Sequence, residues 1–255
     1  MYTMSTVKYE GHYQIRADEV TPDKRMKVPA LIKLMQEGSM QNSLQKGFSV
    51  WDLEPDNISW VLLRKKLVIN NYPILGDRVI VATYPIVTEK VLAYRDYKVY
   101  NESGENLLAY ASSTWTLINL KTRKLERIPK KFHHLKAPKE EEILDPPASK
   151  INRPNRIDFQ KSFNANWFDT DWNDHVNNVF FIKCMIESSP VEFLKNKVIK
   201  ELVYHIRSES LLGDQLEVKG EINEPINLRY SLGISGLDKM IAYAEIKWSD
   251  SILKE

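Results

Sequence analysis

The chain has 255 residues, enough for one large domain or two small ones with a sizeable core. Lys and Arg number 36 against 34 Asp and Glu, a formal charge of +2, so no global field argues for nucleic acid. A single cysteine excludes an intrachain disulfide framework and a cysteine-based zinc cluster, and suits a reducing compartment. The opening MYTMSTVKYEGHYQ has neither an apolar h-region nor an Arg-rich amphipathic run, and no apolar run reaches the roughly 18 residues that span a bilayer. The expectation is a cytoplasmic protein that stays out of the membrane.

In chain order, Lys8 to Ile15 reads as a strand and Arg16 to Arg25 as a charged turn. Pro29, suited to a first helical turn, then opens ALIKLMQEGSMQNSLQ. Ser59 to Asn70 is strand-like, and Leu75-Gly76-Asp77 makes a turn before a strand at Arg78 to Val87. Leu92 to Tyr100 and Leu107 to Leu120 are two more strands around the hairpin signal Glu102-Ser103-Gly104-Glu105. The order is strand, helix, four strands.

The second half repeats it. IKLMQEGS at Ile32 to Ser39 matches IKCMIESS at Ile182 to Ser189, with Lys–Glu pairs four residues apart in both. Leu75-Gly76-Asp77 recurs at Leu212-Gly213-Asp214, and LLAYASSTW at Leu107 to Trp115 recurs as MIAYAEIKW at Met240 to Trp248. Three matches in one order, offset by 150, 137 and 133 residues, argue for two copies of one unit. Between them, Lys121 to Arg156 opens with seven basic residues against Glu126 alone, turns acidic at Glu140 to Glu142 and is broken by Pro138, Pro146, Pro147 and Pro154. It reads as an extended linker, its basic run either a solvated tether or a dock for an acidic partner. The expected division is an N-terminal unit at 1–135, a linker at 136–156 and a C-terminal unit at 157–255.

Chemistry concentrates at Asn166 to Pro190, NWFDTDWNDHVNNVFFIKCMIESSP. In extended backbone Asp171, Asn173 and His175 share one side, but Asp171 and His175 would stand about 13 Å apart at about 3.3 Å per residue. The segment must bend, and Trp172-Asn173-Asp174 has turn composition. Asn177 or Asn178 can cap the helix that follows, which is apolar nearly all round, with Lys183 and Glu187 almost its only polar positions, and so should be buried. Free N–H groups at its start, those of Asn178 and Val179, suit a developing oxyanion. Asp, Asn and His also precede helices for capping alone, so spacing leaves both readings open. Offset by 150, the first copy has Thr21, Asp23 and Arg25 instead. A requirement of the fold should appear in both copies; this cluster appears in one.

A long helix wrapped by an antiparallel sheet is the hot-dog arrangement. The expected fold is therefore α+β, two tandem hot-dog units forming a pseudo-dimer, with chemistry in the C-terminal unit and substrate accommodation in the N-terminal one. Over nearly its whole length the chain resembles the acyl-acyl carrier protein thioesterases. The resemblance lies in WVLLRKKLVINNYPILGDRVIVATYP, ASSTWTLINLKTRKLERIPKKF and the site signature DTDWNDHVNN. It implies hydrolysis of fatty acyl-carrier protein to free fatty acid, terminating fatty acid synthesis, with catalytic roles for Asp171, Asn173 and His175. It also implies an acidic residue on the strand after the second helix, a place taken by Glu209 in YHIRSESLLGD. Either Glu209 or Asp171 would be the base that activates water, with direct attack by Asp171 as the other route. No cofactor and no metal are expected: one His among scattered carboxylates lacks the ligand set of a hydrolytic zinc site. The neighbour of Glu209 is Ser210 and the only cysteine, Cys184, sits inside the helix as a small core residue, so a Cys–His mechanism finds no support.

The partner expected is an acidic carrier protein, docking on Arg64, Lys65, Lys66, Lys121, Arg123, Lys124, Lys130 and Lys131; a homodimer is a further expectation. Two other functions fit the same fold. A hot-dog hydratase or dehydratase would use a similar Asp/His pair, and a non-catalytic acyl or acyl-carrier sensor would keep the acyl site and lose the polar cluster.

Overall fold

The computed structural model describes residues 7–87, 90–224 and 226–251. Residues 1–6 of the stretch inspected for a leader, and 252–255 at the end of the second unit, lie outside the described residues. The chain divides into two compact units, Met1–Pro147 and Ala148–Glu255.

In the first unit, strand β1 (Tyr9–Gln14) precedes helix α1 (Val28–Lys46). Pro29 stands in the first turn of α1 and Gly47 ends it at φ 71, its N–H returning to the Ser43 carbonyl, the left-handed close that costs glycine least. Val28, Leu31, Ile32, Met35, Gly38 and Asn42 are buried along one stripe of this helix. Burying a leucine, isoleucine or methionine of that stripe contributes about 1.5–3 kcal/mol. The stripe meets β1 and strand β3 (Arg78–Val87), closely enough that a Cβ on Gly38 would sit 3.5 Å from Val81 and 3.6 Å from Thr83. The short α2 (Val50–Leu53), then β2 (Ile58–Ile69), β4 (Ala93–Asn101), β5 (Leu107–Asn119) and β6 (Leu125–Glu126) complete the unit. Its antiparallel sheet runs β1-β3-β4-β5-β2, with β6 on β5.

The second unit has the same plan: β7 (Phe159–Asn164), α3 (Asn178–Glu187), the short α4 (Val191–Asn196), β8 (Lys197–Ile206), β9 (Gln215–Asn223), β10 (Asn227–Ile234) and β11 (Met240–Asp250). Its sheet runs β7-β9-β10-β11-β8, the order of the first unit element for element. The internal repeat is thus a structural one, and each copy is a hot-dog unit. α3 buries Val179, Phe181, Ile182, Cys184 and Met185, exposes Lys183 and Glu187, and packs on β10.

The stretch read as an outside linker is a correction. Ile128, Phe132 and Leu135, interleaved with the basic residues, are buried with Phe48, Leu53, Ile58 and Leu117 in the core of the first unit. Beyond them Glu141 pairs with Lys8 and Lys98, the Leu144 N–H donates to Asp96, and Tyr84 donates to the Glu142 carbonyl. Residues 136–147 therefore belong to the first unit. On the other side, Asn152 donates to Glu245 and the Asn155 N–H to Glu221, both in the second unit. Lys65 is a second correction: it is 1 % exposed and lies in the core, so it cannot belong to a surface dock. No helix among the described residues is long and apolar enough to cross a membrane.

Candidate active site

The loop before α3 is held by backbone first. The Asp171 N–H donates to the His175 carbonyl at 2.8 Å and the Asp174 N–H to the Asp171 carbonyl at 3.1 Å, closing a turn in which Asp174 has φ 59. The Asp171 carboxylate accepts the Asn173 N–H at 2.9 Å, an Asx turn that accounts for one of its oxygens. His175 bridges to Leu211 and the Val176 N–H donates to the Ser210 carbonyl. This lays the loop beside the turn Leu211–Asp214, where Gly213 at φ 86 makes the bend and Asp214 takes the Ser210 hydroxyl and the Leu211 N–H.

That pairing of loops brings His175 and Glu209 together, with Nε2 3.3 Å from a carboxylate oxygen and both side chains about a third exposed. Glu209 was expected on a strand; it lies three residues beyond the end of β8 instead, in the irregular segment that runs to the turn. Asn173 is exposed on the turn. The helix cap is Asn177, whose side chain accepts the Val179 N–H at 2.9 Å. Val179 is therefore not the free oxyanion donor expected of it, and the Asn178 N–H is the one the cap leaves available. Cys184 is fully buried, and burial pushes its thiol up to about 12, which removes it as a nucleophile. Among the described residues no group of three His, Cys, Asp or Glu side chains is placed to hold a metal.

The first unit is the internal control. Its loop makes the same bonds, Thr21 N–H to the Arg25 carbonyl and Lys24 N–H to Thr21, with Lys24 at φ 67. Arg25 bridges to Ile74, and Ile74 donates to Asp77. There, however, Asp23 is occupied by Arg25 and Thr21. Burial pushes the Asp23 carboxyl up, and these hydrogen bonds outweigh it and hold it below its usual range. Both copies need the loop's shape; only the second leaves a His and a Glu in it. Exposed aromatics follow the same asymmetry and escaped the sequence reading. Trp167, Phe168 and Trp172 ring the loop, Phe168 at 97 % exposure, where the first copy has Ala17, Asp18 and Pro22.

Profiles of the acyl-ACP thioesterase N-terminal and C-terminal domains match residues 6–135 and 152–250. The chain belongs to the acyl-ACP thioesterase family. Among curated members, the chloroplastic palmitoyl-acyl carrier protein thioesterase of Cuphea hookeriana is 27% identical over 213 residues, 79% of this chain and 51% of that protein. The one from Arabidopsis thaliana is 28% identical, over 79% of this chain and 52% of that protein. The chain spans about half the length of the curated relatives it matches. Among solved structures, an acyl-ACP thioesterase from Bacteroides thetaiotaomicron superposes with a TM-score of 0.85 at 20% identity, covering 95% of this chain and 98% of that one. The 12:0-ACP thioesterase from Umbellularia californica superposes with 0.83 at 22%, covering 98% and 100%. Both likenesses establish the fold of this family member.

Proposed function

We propose that the chain hydrolyses the thioester of fatty acyl-acyl carrier protein to free fatty acid and holo-carrier protein, acting in the cytoplasm to terminate fatty acid synthesis. The observation that carries this reading is the His175–Glu209 pair, present in one copy of a duplicated loop and replaced in the other. With Nε2–H donating to Glu209, the carboxylate fixes the imidazole tautomer and leaves Nδ1 as the base. Nδ1 takes a proton from water as the oxygen bonds to the thioester carbon. The carbonyl oxygen becomes an oxyanion that the Asn178 N–H receives at the start of α3. Collapse breaks the C–S bond and the imidazolium returns its proton to the pantetheine sulfur. Asp171 holds the turn that aims His175, and Asn173 would hold the water or the carbonyl.

An acidic carrier protein would dock on the exposed Lys121, Arg123, Lys124, Lys130 and Lys131 of the first unit, a contact that weakens with salt. Arg64 and Lys66 are half-buried on β2 and contribute less. Turnover of acyl-carrier protein in heavy-oxygen water tests the reading: the released acid carries one labelled oxygen and the protein none. Binding without release of acid would place the chain among acyl-carrier sensors, and label on Asp171 would replace direct water attack by an anhydride.

A further inference from the structure

The duplicated fold also exposes a feature of the first unit that the proposed reaction does not use. In both units a serine bonds a tyrosine of the sheet, Ser39 of α1 to Tyr97 at 2.9 Å and Ser189, just beyond the end of α3, to Tyr230 at 2.8 Å. Tyr97 faces Ala111 on β5 and Tyr230 faces Ala244 on β11, so the two registers coincide. Two residues before each tyrosine, a row of cross-strand neighbours runs over the helix-facing side of the sheet. In the second unit the row is Leu228, Ile246 and Leu202, all buried. In the first it is Arg95, Ser113 and Lys65, at 5 %, 0 % and 1 % exposure.

The fold is content with three apolar side chains there, as the second copy shows. Two buried cations in their place are costly unless an anion accompanies them. Among the described residues no carboxylate does. Arg95 bonds Asn42 and Thr83 through Nη1, and Lys65 Nζ lies 4.1 Å over the Tyr97 ring. Asp96, next in sequence to Arg95, faces the other side of the sheet, where Leu144 engages it. Burial pulls the Lys65 ammonium down. Burial alone would push the Tyr97 phenol up, yet Lys65 and Arg95 hold it below its usual value, the behaviour of a cation-rich pocket. Leu67, Val99 and Ala111 on the same sheet and Leu31, Ile32 and Met35 further along the stripe of α1 are buried as well.

We propose that Lys65, Arg95 and Ser113, with Asn42 and Tyr97, form a buried carboxylate site in the first unit that takes a ligand with an alkyl body and one anionic end. The guanidinium binds the carboxylate as a fork, the ammonium neutralises it, and the helix stripe covers the alkyl part. Two sources supply that chemistry: a free fatty acid, or an acyl chain bearing a second carboxylate at its far end. The second source rests on the proposed thioesterase reading; the first does not.

Calorimetry of the full chain with octanoate, 1-octanol and inorganic phosphate tests the site. Octanoate binds, while 1-octanol and phosphate bind at least about tenfold more weakly, since a charge-assisted bond and the apolar contacts are both needed. Lys65→Leu and Arg95→Leu, which install the residues of the second unit, each weaken octanoate by about tenfold or more, and His175→Ala does not. Equal binding of octanoate and 1-octanol, octanoate binding that survives Lys65→Leu, or its loss in His175→Ala would each overturn the site. Should the leucine variants fail to fold, a crystal of the parent soaked with bromine-labelled octanoate decides: a carboxylate within hydrogen-bond reach of Arg95 or Lys65 supports the site, and density only beside His175 refutes it. Suberoyl- against octanoyl-carrier protein separates the sources. Faster hydrolysis of the suberoyl substrate, lost in Lys65→Leu, identifies the acyl chain's own carboxylate; binding of free octanoate alone identifies a fatty acid.

Discussion

Glu209→Gln separates a functional pair from a structural one. The Glu209 oxygen stands 3.3 Å from His175 Nε2 with both side chains about a third exposed. At that distance the attraction between full charges is about 1.3 kcal/mol with the screening of bulk water, and exposed pairs of this kind contribute about 0–1 kcal/mol to folding. Glutamine keeps the size of the side chain and can still accept the Nε2–H, so urea unfolding should move by less than about 1 kcal/mol. The chemical step is another matter. The amide cannot stabilise the imidazolium that forms when water is deprotonated, and a positioned acid–base element supplies about 10²- to 10⁴-fold. The account predicts that kcat for acyl-carrier protein falls by about 10²-fold or more while KM changes little. A loss of several kcal/mol in stability with activity falling in proportion, or turnover within tenfold of the parent, would refute this assignment of Glu209.

Other outcomes follow from the same geometry. Asn177→Ala removes the only side-chain cap of α3 and should cost about 1 kcal/mol in urea unfolding; no change would mean that water replaces the cap. For Glu141, burial pushes the carboxyl up, but hydrogen bonds from Lys8 and Lys98 outweigh it and hold it below the usual carboxylate range. Its contribution, about 1 kcal/mol, is present above the unfolded value and lost as pH falls through the folded one. The stability gap between parent and Glu141→Gln should therefore be full near neutral pH and close in acid, as thermal melts at a series of pH values will show. Cys184, with its thiol at about 12 and its side chain buried, should resist iodoacetamide at mildly alkaline pH in the native protein and react in urea; rapid native labelling would contradict its burial.

Periodicity and repetition made most of the scaffold legible. The helix opened by Pro29, the apolar α3 and the two Leu-Gly-Asp turns stand where the sequence places them, because each is decided by local chemistry: a proline at the helix start, a glycine at positive φ, a nearly continuous apolar run. The loop before α3 was legible as a bend with an asparagine cap, but backbone bonds choose which asparagine, and the choice takes the Val179 N–H out of play. What escaped the sequence depends on partners distant along the chain. Ile128, Phe132 and Leu135 are too sparse among the lysines to announce a buried segment, and only Phe48, Leu53 and Leu117 make them core. Lys65 reads as a surface residue in the run Arg64-Lys65-Lys66. The register shift between Leu62 and Arg64 in the pairing of β2 with β5 changes the alternation, so that Lys65 joins Leu67 and Ile69 on the buried side. The pair of His175 and Glu209 forms across 34 residues of sequence, and no local pattern links them.

Release of free fatty acid from acyl-carrier protein, measured for the parent beside His175→Ala with both proteins shown to unfold at the same urea concentration, tests the central claim most directly. The account predicts that the parent releases acid and that His175→Ala loses nearly all of that activity. Equal release by the two proteins, or binding of acyl-carrier protein by the parent with no acid formed, would contradict it.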